Sequence, residues 1–268
     1  MLRFPAVAGR FYPAHADELT LQIESLLSAA APEKTRALAC LVPHAGYMYS
    51  GHVAGTVFGS LELPRRFILL GPRHYPQGES LAILSEGSWK TPLGDARIES
   101  ALAASLKRAC PLLREDSVAH RNEHSLEVQL PFLQHLAGDF VFVPIALGTV
   151  HLPALESLGQ AIAEVLAAEK EPVLVVASSD MNHYEEDGIT RVKDRKALDK
   201  VLALDPRGLF DTVRRESITM CGFGPAVSML TAARALGATR GELVRYATCG
   251  DITGDRDEVV GYAGVIVR

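Results

Sequence analysis

The chain has 268 residues, of which 48% are hydrophobic and 22% charged, which is ordinary for a globular protein long enough to form one large α/β domain. Its formal net charge of −5 and its scattered lysines and arginines argue against binding to nucleic acid or to anionic lipid. The longest uncharged run, residues 37–61, contains proline, glycine and histidine and is a poor membrane span, and the amino terminus has no apolar segment typical of a secretory signal.

The spacing of apolar residues predicts helices and strands that alternate along the chain. In chain order, the predicted helices span residues 16–30, 52–61, 95–109, 126–137, 152–168, 190–203, 206–215 and 225–236. The predicted strands span residues 38–43, 67–71, 80–85, 140–147, 172–177, 244–248 and 259–267.

This alternation indicates a sheet flanked by helices. Hairpin-like stretches near residues 80–95 and at the carboxyl end favour a mixed sheet over a purely parallel one. No repeat, low-complexity linker or break in composition divides the chain. We therefore predict a single domain over residues 1–268, of the α/β class, with a central mixed β-sheet flanked by helices.

Histidines follow the predicted strands at three places. His44 comes after the first strand, His74 after the second, and His183 closes the segment that begins with strand 172–177. Ligands of open α/β sheets collect outside the carboxyl ends of the strands, and imidazole is the commonest metal ligand in proteins. Each histidine alone could equally be a hydrogen-bonded loop residue, but together they favour a shared metal or acid/base site.

Asp180 lies three residues before His183 in the same loop. A carboxylate at this spacing is a candidate to orient or ionise a histidine, or to act on a substrate proton, with His183 as the proton carrier. The alternative is that Ser178, Ser179 and Asp180 only cap the turn that follows.

The segment His120-Arg-Asn-Glu123-His124 matches H-x-x-E-H, a motif of inverted zinc peptidases. Asn122 resembles a helix N-cap, so His120 would precede the helix and the two histidines would not share a helical face. We expect no peptidase site here, although Glu123 and His124 would still face a cleft.

Cys221 lies just before the predicted helix 225–236, beside two glycines. A helix amino terminus favours the thiolate, so we expect an accessible, reactive sulfur at this position. The other cysteines, at positions 40, 110 and 249, are interpreted as core or incidental. No C-x-x-C pair or disulfide pattern is present, which indicates a reducing, cytoplasmic setting.

Several segments taken together resemble the Memo family, which includes protein B of the bacterial AmmeMemoRadiSam set. The segments that carry the resemblance are Ala6–Pro13, Val42–Tyr47 with Ser50 and Gly51, Leu70–His74, Glu123–Pro131, Ser178–His183 and Cys221-Gly222. They occur in order and span nearly the whole chain.

The resemblance implies a fold like that of the class III extradiol dioxygenases, which hold non-haem Fe(II) with two histidines and a carboxylate. It places His44 and His74 at the two histidine positions and Cys221 at the carboxylate position. It also implies that His183 is the acid/base histidine. By the same resemblance, two further side chains line the pocket, those of Asp180 and His124.

The resemblance leaves the metal and the reaction open. We expect Fe(II), with copper or zinc as alternatives, because a thiolate is a softer ligand than a carboxylate. The leading hypothesis is redox or oxygen-dependent chemistry on a small substrate. The rival hypotheses are a metal-handling or binding protein without turnover and a zinc-type hydrolase. A radical SAM protein and an AMMECR1-like protein are implied as partners.

Overall fold

A mixed β-sheet runs through the centre of the protein in the computed structural model, which describes residues 1–27, Ala30 and residues 33–268. The strands in these residues are β1 (Leu2–Arg3), β2 (Ala39–Val42), β3 (Arg66–Pro72), β4 (Leu81–Ile83), β5 (Ser88–Thr91), β6 (Gly94–Ile98), β7 (Arg114–Glu115), β8 (Val141–Leu147), β9 (Leu174–Ser178), β10 (His183–Glu185), β11 (Gly241–Thr248) and β12 (Val259–Val267).

Helices cover both faces of the sheet. They are α1 (Ala16–Leu26), α2 (His52–Gly59), α3 (Ser100–Ala109), α4 (Val118–Arg121), α5 (Leu130–Ala137), α6 (Leu152–Ala167), α7 (Asp187–Leu202), α8 (Pro206–Arg215), α9 (Phe223–Ala235) and α10 (Gly250–Thr253). A π-helical turn, Tyr47–Gly51, leads into α2, and a 3-10 turn, Glu127–Gln129, leads into α5. Within the described part of the chain, no helix has the length and apolar character needed to cross a membrane.

Four neighbouring parallel strands form the middle of the sheet, in the order β8-β3-β9-β2. Parallel neighbours require crossover connections, and α2 between β2 and β3, and α6 between β8 and β9, supply two of them. Antiparallel pairs flank this centre, with β12 joining β2 and β11 on one side and β5 joining β6 on the other. The arrangement confirms the predicted single α/β domain with a central mixed sheet flanked by helices.

The core has two parts, one on each face of the sheet. Along β3, Ile68 and Leu70 belong to the cluster that packs against α3, α6, α8 and α9. Phe67 and Leu69 belong to the cluster on the side of α1, α2 and α5. Successive side chains of a strand point to opposite faces, so a strand buried on both faces reads as one continuous apolar run. This is why the central strands were predictable from the sequence.

The helix predicted over residues 95–109 is wrong in its first part. Residues 94–98 form β6, which pairs with β5 as a hairpin and with β8, and α3 begins only at Ser100. Ala96 and Ile98 are buried whereas Asp95 and Arg97 are exposed, which is the alternation of a half-buried strand. The short apolar segment was merged with the amphipathic helix that follows it.

The helix predicted over residues 126–137 starts later than expected. Asn122 is not its N-cap but ends the short helix α4. The α-helical conformation begins at Leu130, where Pro131 occupies the first turn, a position at which a missing amide N–H costs nothing. Helix α1 matches the start of the predicted helix 16–30 and ends at Leu26, and residues 28 and 29 of that prediction lie outside the described residues.

Candidate metal centre

The ends of three neighbouring strands bring polar side chains to one edge of the sheet. His44, His74 and Asp180 each lie two residues beyond the end of β2, β3 and β9, respectively. The strand order β3-β9-β2 makes these three ends adjacent. The predicted convergence of the strand-end residues is therefore what the fold produces.

Cys221 reaches the same edge from the start of α9. Gly222, its neighbour, donates its backbone N–H to Ser179 Oγ at 2.9 Å. A Cβ atom at position 222 would collide with the carbonyl oxygen of Ser178, so only glycine allows the chain to approach the end of β9 this closely. As a result, Cys221 Sγ lies 3.2 Å from His44 Nε2.

His44, His74 and Cys221 form a group of potential metal ligands. One donor atom from each residue lies within 4.8 Å of those from the other two. A single ion with ligands at about 2.0–2.4 Å can span donors up to about 4.8 Å apart, so the group is compact enough for one metal ion. The two imidazoles cross nearly at right angles, at 78°, with ring centroids 5.2 Å apart.

The side chain of Ser178 fixes the tautomer of His44. Ser178 Oγ donates its only proton to the carbonyl oxygen of Ser125 at 2.7 Å and accepts a hydrogen bond from Gln129 Nε2 at 3.0 Å. His44 Nδ1, at 2.8 Å, must therefore be the donor to Ser178 Oγ. Burial, with His124 and His74 nearby, lowers the pKa of His44 well below its ordinary value. The ring is thus neutral, with the Nε2 lone pair directed at the candidate centre.

Glu123 orients His74 in the same way. Its carboxylate accepts the backbone N–H of His74 at 2.6 Å and lies 2.9 Å from His74 Nδ1. Burial raises the pKa of Glu123, but the hydrogen bond and charge of His74 outweigh it, so the net pKa is far below the ordinary value. For His74 the effects have the opposite signs. Burial lowers its pKa, but the hydrogen bond to Glu123 outweighs burial, so the net pKa of His74 is raised. An ionised carboxylate on Nδ1–H leaves Nε2 of His74 free, as in carboxylate–histidine–metal arrangements.

A second group of potential ligands, His74, Glu123 and His124, shares one residue with the first. The His124 ring stacks on His74 with centroids 4.7 Å apart and lies edge-on to His44. Glu123 is already engaged by His74 and by the backbone N–H of Ser125 at 2.8 Å. Because its oxygen atoms are occupied by hydrogen bonds, we favour the group that contains Cys221.

Asp180 faces the centre, but the pairing with His183 that the sequence suggested does not form. Its Oδ1 accepts the backbone N–H of His44 at 2.7 Å, and its Oδ2 lies 3.9 Å from His44 Nε2. His183 Nδ1 has no hydrogen-bond partner in the described part of the chain. Burial raises the pKa of Asp180 above its ordinary value. The carboxyl therefore holds the backbone turn after β2 and does not set the tautomer of His183.

The candidate centre opens into a cavity of about 520 Å³. His183 lines this cavity without belonging to either ligand group, and its backbone N–H is held by Thr219 Oγ1 at 2.7 Å. The remaining predicted site residues, His124 and Asp180, line it as well. All of the predicted site residues thus meet in one cavity, and His183 is not among the closest donors.

The state of Cys221 differs from the sequence-based expectation of an accessible thiolate. The residue is only partly exposed, and burial, followed by the charge of Asp180, raises its pKa above the ordinary value. The start of α9 does not compensate for the removal of the sulfur from water. Without a metal, the thiol is protonated at neutral pH.

The first histidine of the H-x-x-E-H segment lies apart from the candidate ligands. His120 lies within α4, fully buried, with its ring edge-on to Trp89 at a centroid distance of 5.6 Å. It belongs to neither group of potential ligands found in the described residues. His124 lines the cavity as expected, whereas Glu123 is fully buried and reaches the site only through its contacts with His74.

Sequence reasoning missed the residues that complete the cavity and support the histidines. Phe11, whose ring lies edge-on to His124 at 4.8 Å, comes from the amino-terminal segment. Tyr184 directly follows His183, and its place there was a usable signal. Gln129, which supports Ser178, carries no such signal, because it lies in a segment that reads as the polar face of a helix.

An α/β fold with histidine and cysteine donors at the carboxyl edge of its parallel strands defines this chain as a candidate metalloprotein. The sequence matches the family described as "Memo-like protein" over residues 3–266, and the chain belongs to that family.

Curated relatives cover the full length of the chain. A MEMO1 family protein of Methanopyrus kandleri is 41% identical over 100% of this chain and 99% of its own length. One from Methanosarcina barkeri is 38% identical over 100% of both chains, and one from Pyrobaculum aerophilum is 40% identical over 99% of this chain and 98% of its own. These relatives confirm the resemblance found in the sequence.

A solved structure shares the fold. The crystal structure of an uncharacterized protein from Escherichia coli K12 aligns with a TM-score of 0.59, covering 86% of this chain and 100% of that chain, at 12% sequence identity. At this identity, the likeness extends to the fold alone.

Proposed function

We propose that the chain is a metal-binding protein with a His44, His74 and Cys221 site, which acts by redox or oxygen-dependent chemistry on a small substrate. The observation that carries the proposal is the compact group of three donors, within 4.8 Å of one another. Fe(II) is the metal we propose first, from the resemblance to the extradiol dioxygenases. Copper and zinc are the alternatives, because a thiolate is a softer ligand than a carboxylate.

The surroundings of the donors support a metal site over a chance cluster. Each imidazole has its Nδ1 engaged, by Ser178 for His44 and by Glu123 for His74. Nε2 of His44 therefore keeps its lone pair for a ligand, and Nε2 of His74 offers one once a metal displaces its proton. Three protein donors leave coordination positions open, which is typical of catalytic sites and not of closed structural ones.

The metal would supply Lewis-acid and, for iron or copper, redox chemistry at those open positions. The other residues of the cavity act on the substrate. The His183 imidazole lines the cavity and is partly exposed, so it can accept a proton from a bound substrate and return it. Asp180, held by the turn at His44, presents its Oδ2 atom to the same space.

Metal content of protein purified without oxygen tests the site. We expect one ion for each chain after loading with Fe(II), Cu(I) or Zn(II), and loss of that ion in His44→Ala, His74→Ala and Cys221→Ser. The matched controls are His151→Ala and Cys249→Ser, which change the same residue types away from the donors. Equal metal content in the control and site variants would contradict the proposal.

His183→Ala separates proton transfer from metal binding. This variant should keep the full metal content, since His183 belongs to neither ligand group, and lose any proton-coupled activity. Loss of metal equal to that in His44→Ala would instead make His183 a ligand.

Oxygen uptake separates the proposed chemistry from its rivals. Substrate-dependent consumption of O₂ by the iron-loaded protein is the expected result. Activity that persists without oxygen in the zinc-loaded protein would favour a hydrolase. Tight binding of the metal ion, followed by its transfer to an acceptor protein without turnover of a substrate, would favour a metal-handling protein.

A further inference from the structure

A second cavity lies beside the one that contains the candidate metal centre. It has a volume of about 600 Å³ and is bounded by the amino-terminal segment and by the loop after α4. The two cavities share two wall residues, Phe11 and His124, so they are neighbours.

The charge of this second cavity is unbalanced. Three arginines line it. Arg3 is paired with Glu127, whereas the guanidinium groups of Arg10 and Arg121 make no ion pair or hydrogen bond with any residue that the structure describes. None of the described residues in its wall is an aspartate or glutamate, although the chain as a whole has a net charge of −5. Two guanidinium groups without a carboxylate partner are free to donate charge-assisted hydrogen bonds to an oxyanion.

A larger cavity at the other end of the sheet provides a comparison, because arginines in its wall form ion pairs. Its volume is about 830 Å³, and three of its arginines are paired with carboxylates. The pairs are Arg36 with Glu62, Arg66 with Glu99, and Arg268 with Glu242. Three arginines that line the larger cavity are thus neutralised, whereas two of the three that line the second cavity, Arg10 and Arg121, are not.

The wall beside the free arginines is aromatic. Phe4 is 64% exposed and Tyr75 is 42% exposed, and both line the second cavity. Tyr75 directly follows His74, so this wall continues from the candidate metal centre. Lys90 Nζ lies 5.9 Å from the centroid of the Phe4 ring, which adds a third cation near the rim. A ligand with an apolar body and an anionic end fits such a surface.

The amino-terminal segment that carries Arg10 is held in place by buried contacts. Glu127 is fully buried and accepts hydrogen bonds from Ala6 N at 2.8 Å, Val7 N at 3.0 Å and Tyr12 OH at 2.7 Å. It also forms an ion pair with Arg3 at 2.7 Å. These contacts hold the backbone of the segment against the fold, so Arg10 stays at the edge of the second cavity although its side chain is exposed.

We infer that Arg10 and Arg121 form an anion-binding subsite that takes the carboxylate or phosphate group of an elongated substrate, whose other end reaches the candidate metal centre past Phe11 and His124. The inference deepens the proposed function and rests on it only for the second end of the substrate. It narrows the substrate class to elongated, partly apolar molecules with a terminal oxyanion.

Two simple anions probe the subsite, phenylphosphonate and benzoate, with benzyl alcohol as the neutral counterpart. Calorimetric titration of the zinc-loaded protein should show binding of at least one anion and none of the alcohol. Arg10→Gln and Arg121→Gln should each weaken anion binding about fivefold, and raised ionic strength should weaken it further. Arg234→Gln, which removes an exposed arginine on α9 whose side chain pairs with none of the described residues, should leave binding unchanged. Preference between the two anions distinguishes a phosphate from a carboxylate end group.

Metal-dependent relaxation shows where the anion lies. The ³¹P signal of bound phenylphosphonate should relax faster in Co(II)-loaded than in Zn(II)-loaded protein, and Arg10→Gln should reduce this effect without changing the metal content. A relaxation effect that both arginine variants leave intact would place the anion on the metal itself and overturn the inference.

The outcomes separate the subsite from the metal site. Full metal content with no anion binding, or with equal binding by the arginine and control variants, would refute the subsite and leave the proposed function standing. Arginine-dependent anion binding to a protein that takes up no metal would support the subsite and refute the metal centre.

Discussion

Nδ1 of His74 lies 2.9 Å from Oε1 of Glu123, and this contact links the candidate metal centre to the buried interior. The backbone carbonyl of Glu123 accepts a hydrogen bond from Arg3 Nη2, and Arg3 in turn pairs with Glu127. The orientation of one proposed ligand therefore depends on a buried network that reaches back to the first strand.

Glu123→Gln should weaken metal binding about 10- to 100-fold, because the amide cannot supply the negative charge that orients His74 and raises its basicity. Zn(II) affinity, measured by competition with a chromophoric chelator, checks this. Glu258→Gln alters an exposed glutamate and serves as the control. An affinity equal to that of the unaltered protein would show that Glu123 has no supporting role.

Metal should protect Cys221 from alkylation while leaving Cys249 unaffected. In the metal-free protein, the raised pKa of Cys221 should make its reaction with iodoacetamide slow at neutral pH and faster as the pH rises. Metal binding must displace the thiol proton, so loading should also release a proton. Peptide mapping at several pH values, with and without Zn(II), measures both effects. Equal labelling of Cys221 in the two forms would remove it from the coordination sphere.

Asp194 should make the protein less stable as the pH rises. Burial raises its pKa from an ordinary 3.8 to about 7, although it accepts hydrogen bonds from Asn182 N and Tyr246 OH. Between these values the folded protein keeps a proton that the unfolded chain releases, so the free energy of unfolding falls as the pH rises from about 4 to 7. The full effect is on the order of 4 kcal/mol.

Asp194→Asn should abolish this fall, because the amide cannot ionise. Urea unfolding at pH 4.5, 6 and 8 would show the variant gaining stability relative to the unaltered protein as the pH increases. Asp211→Asn changes an exposed carboxyl and should show no such trend. Parallel pH profiles for Asp194→Asn and the unaltered protein would contradict the assignment.

The buried pair of Arg3 and Glu127 should matter far more than an exposed one. Glu127→Gln leaves the guanidinium buried without a counter-charge, and we expect a loss of about 3–5 kcal/mol in the free energy of unfolding. Glu62→Gln breaks the exposed pair with Arg36 and should cost less than about 1 kcal/mol. Denaturant unfolding compares the two, and similar losses would show that the buried network is not a stabilising element.

The sequence by itself determined the fold class, the family and the residue types of the candidate site. Strands such as β3 and β9 are buried on both faces, so they appear as apolar runs, and the residues after them, His74 and Asp180, are identifiable by position alone. Where the apolar signal was short or alternating, as in residues 94–98, the pattern was ambiguous between helix and strand, and only pairing with β5 and β8 decided it.

Only the tertiary structure decided how the site residues relate to one another. Cys221 is 177 positions from His44 in the chain, and their contact depends on Gly222 fitting against the end of β9. The partner of Asp180 proved to be the backbone of His44 and not the nearby His183, because hydrogen bonds follow the direction of groups in space and not their order in the chain. The residue types that can serve as ligands are visible in the local sequence, whereas tautomer and thiol protonation arise from burial and from contacts between distant segments. The proposed anion-binding subsite likewise depends on two segments that are distant in the chain.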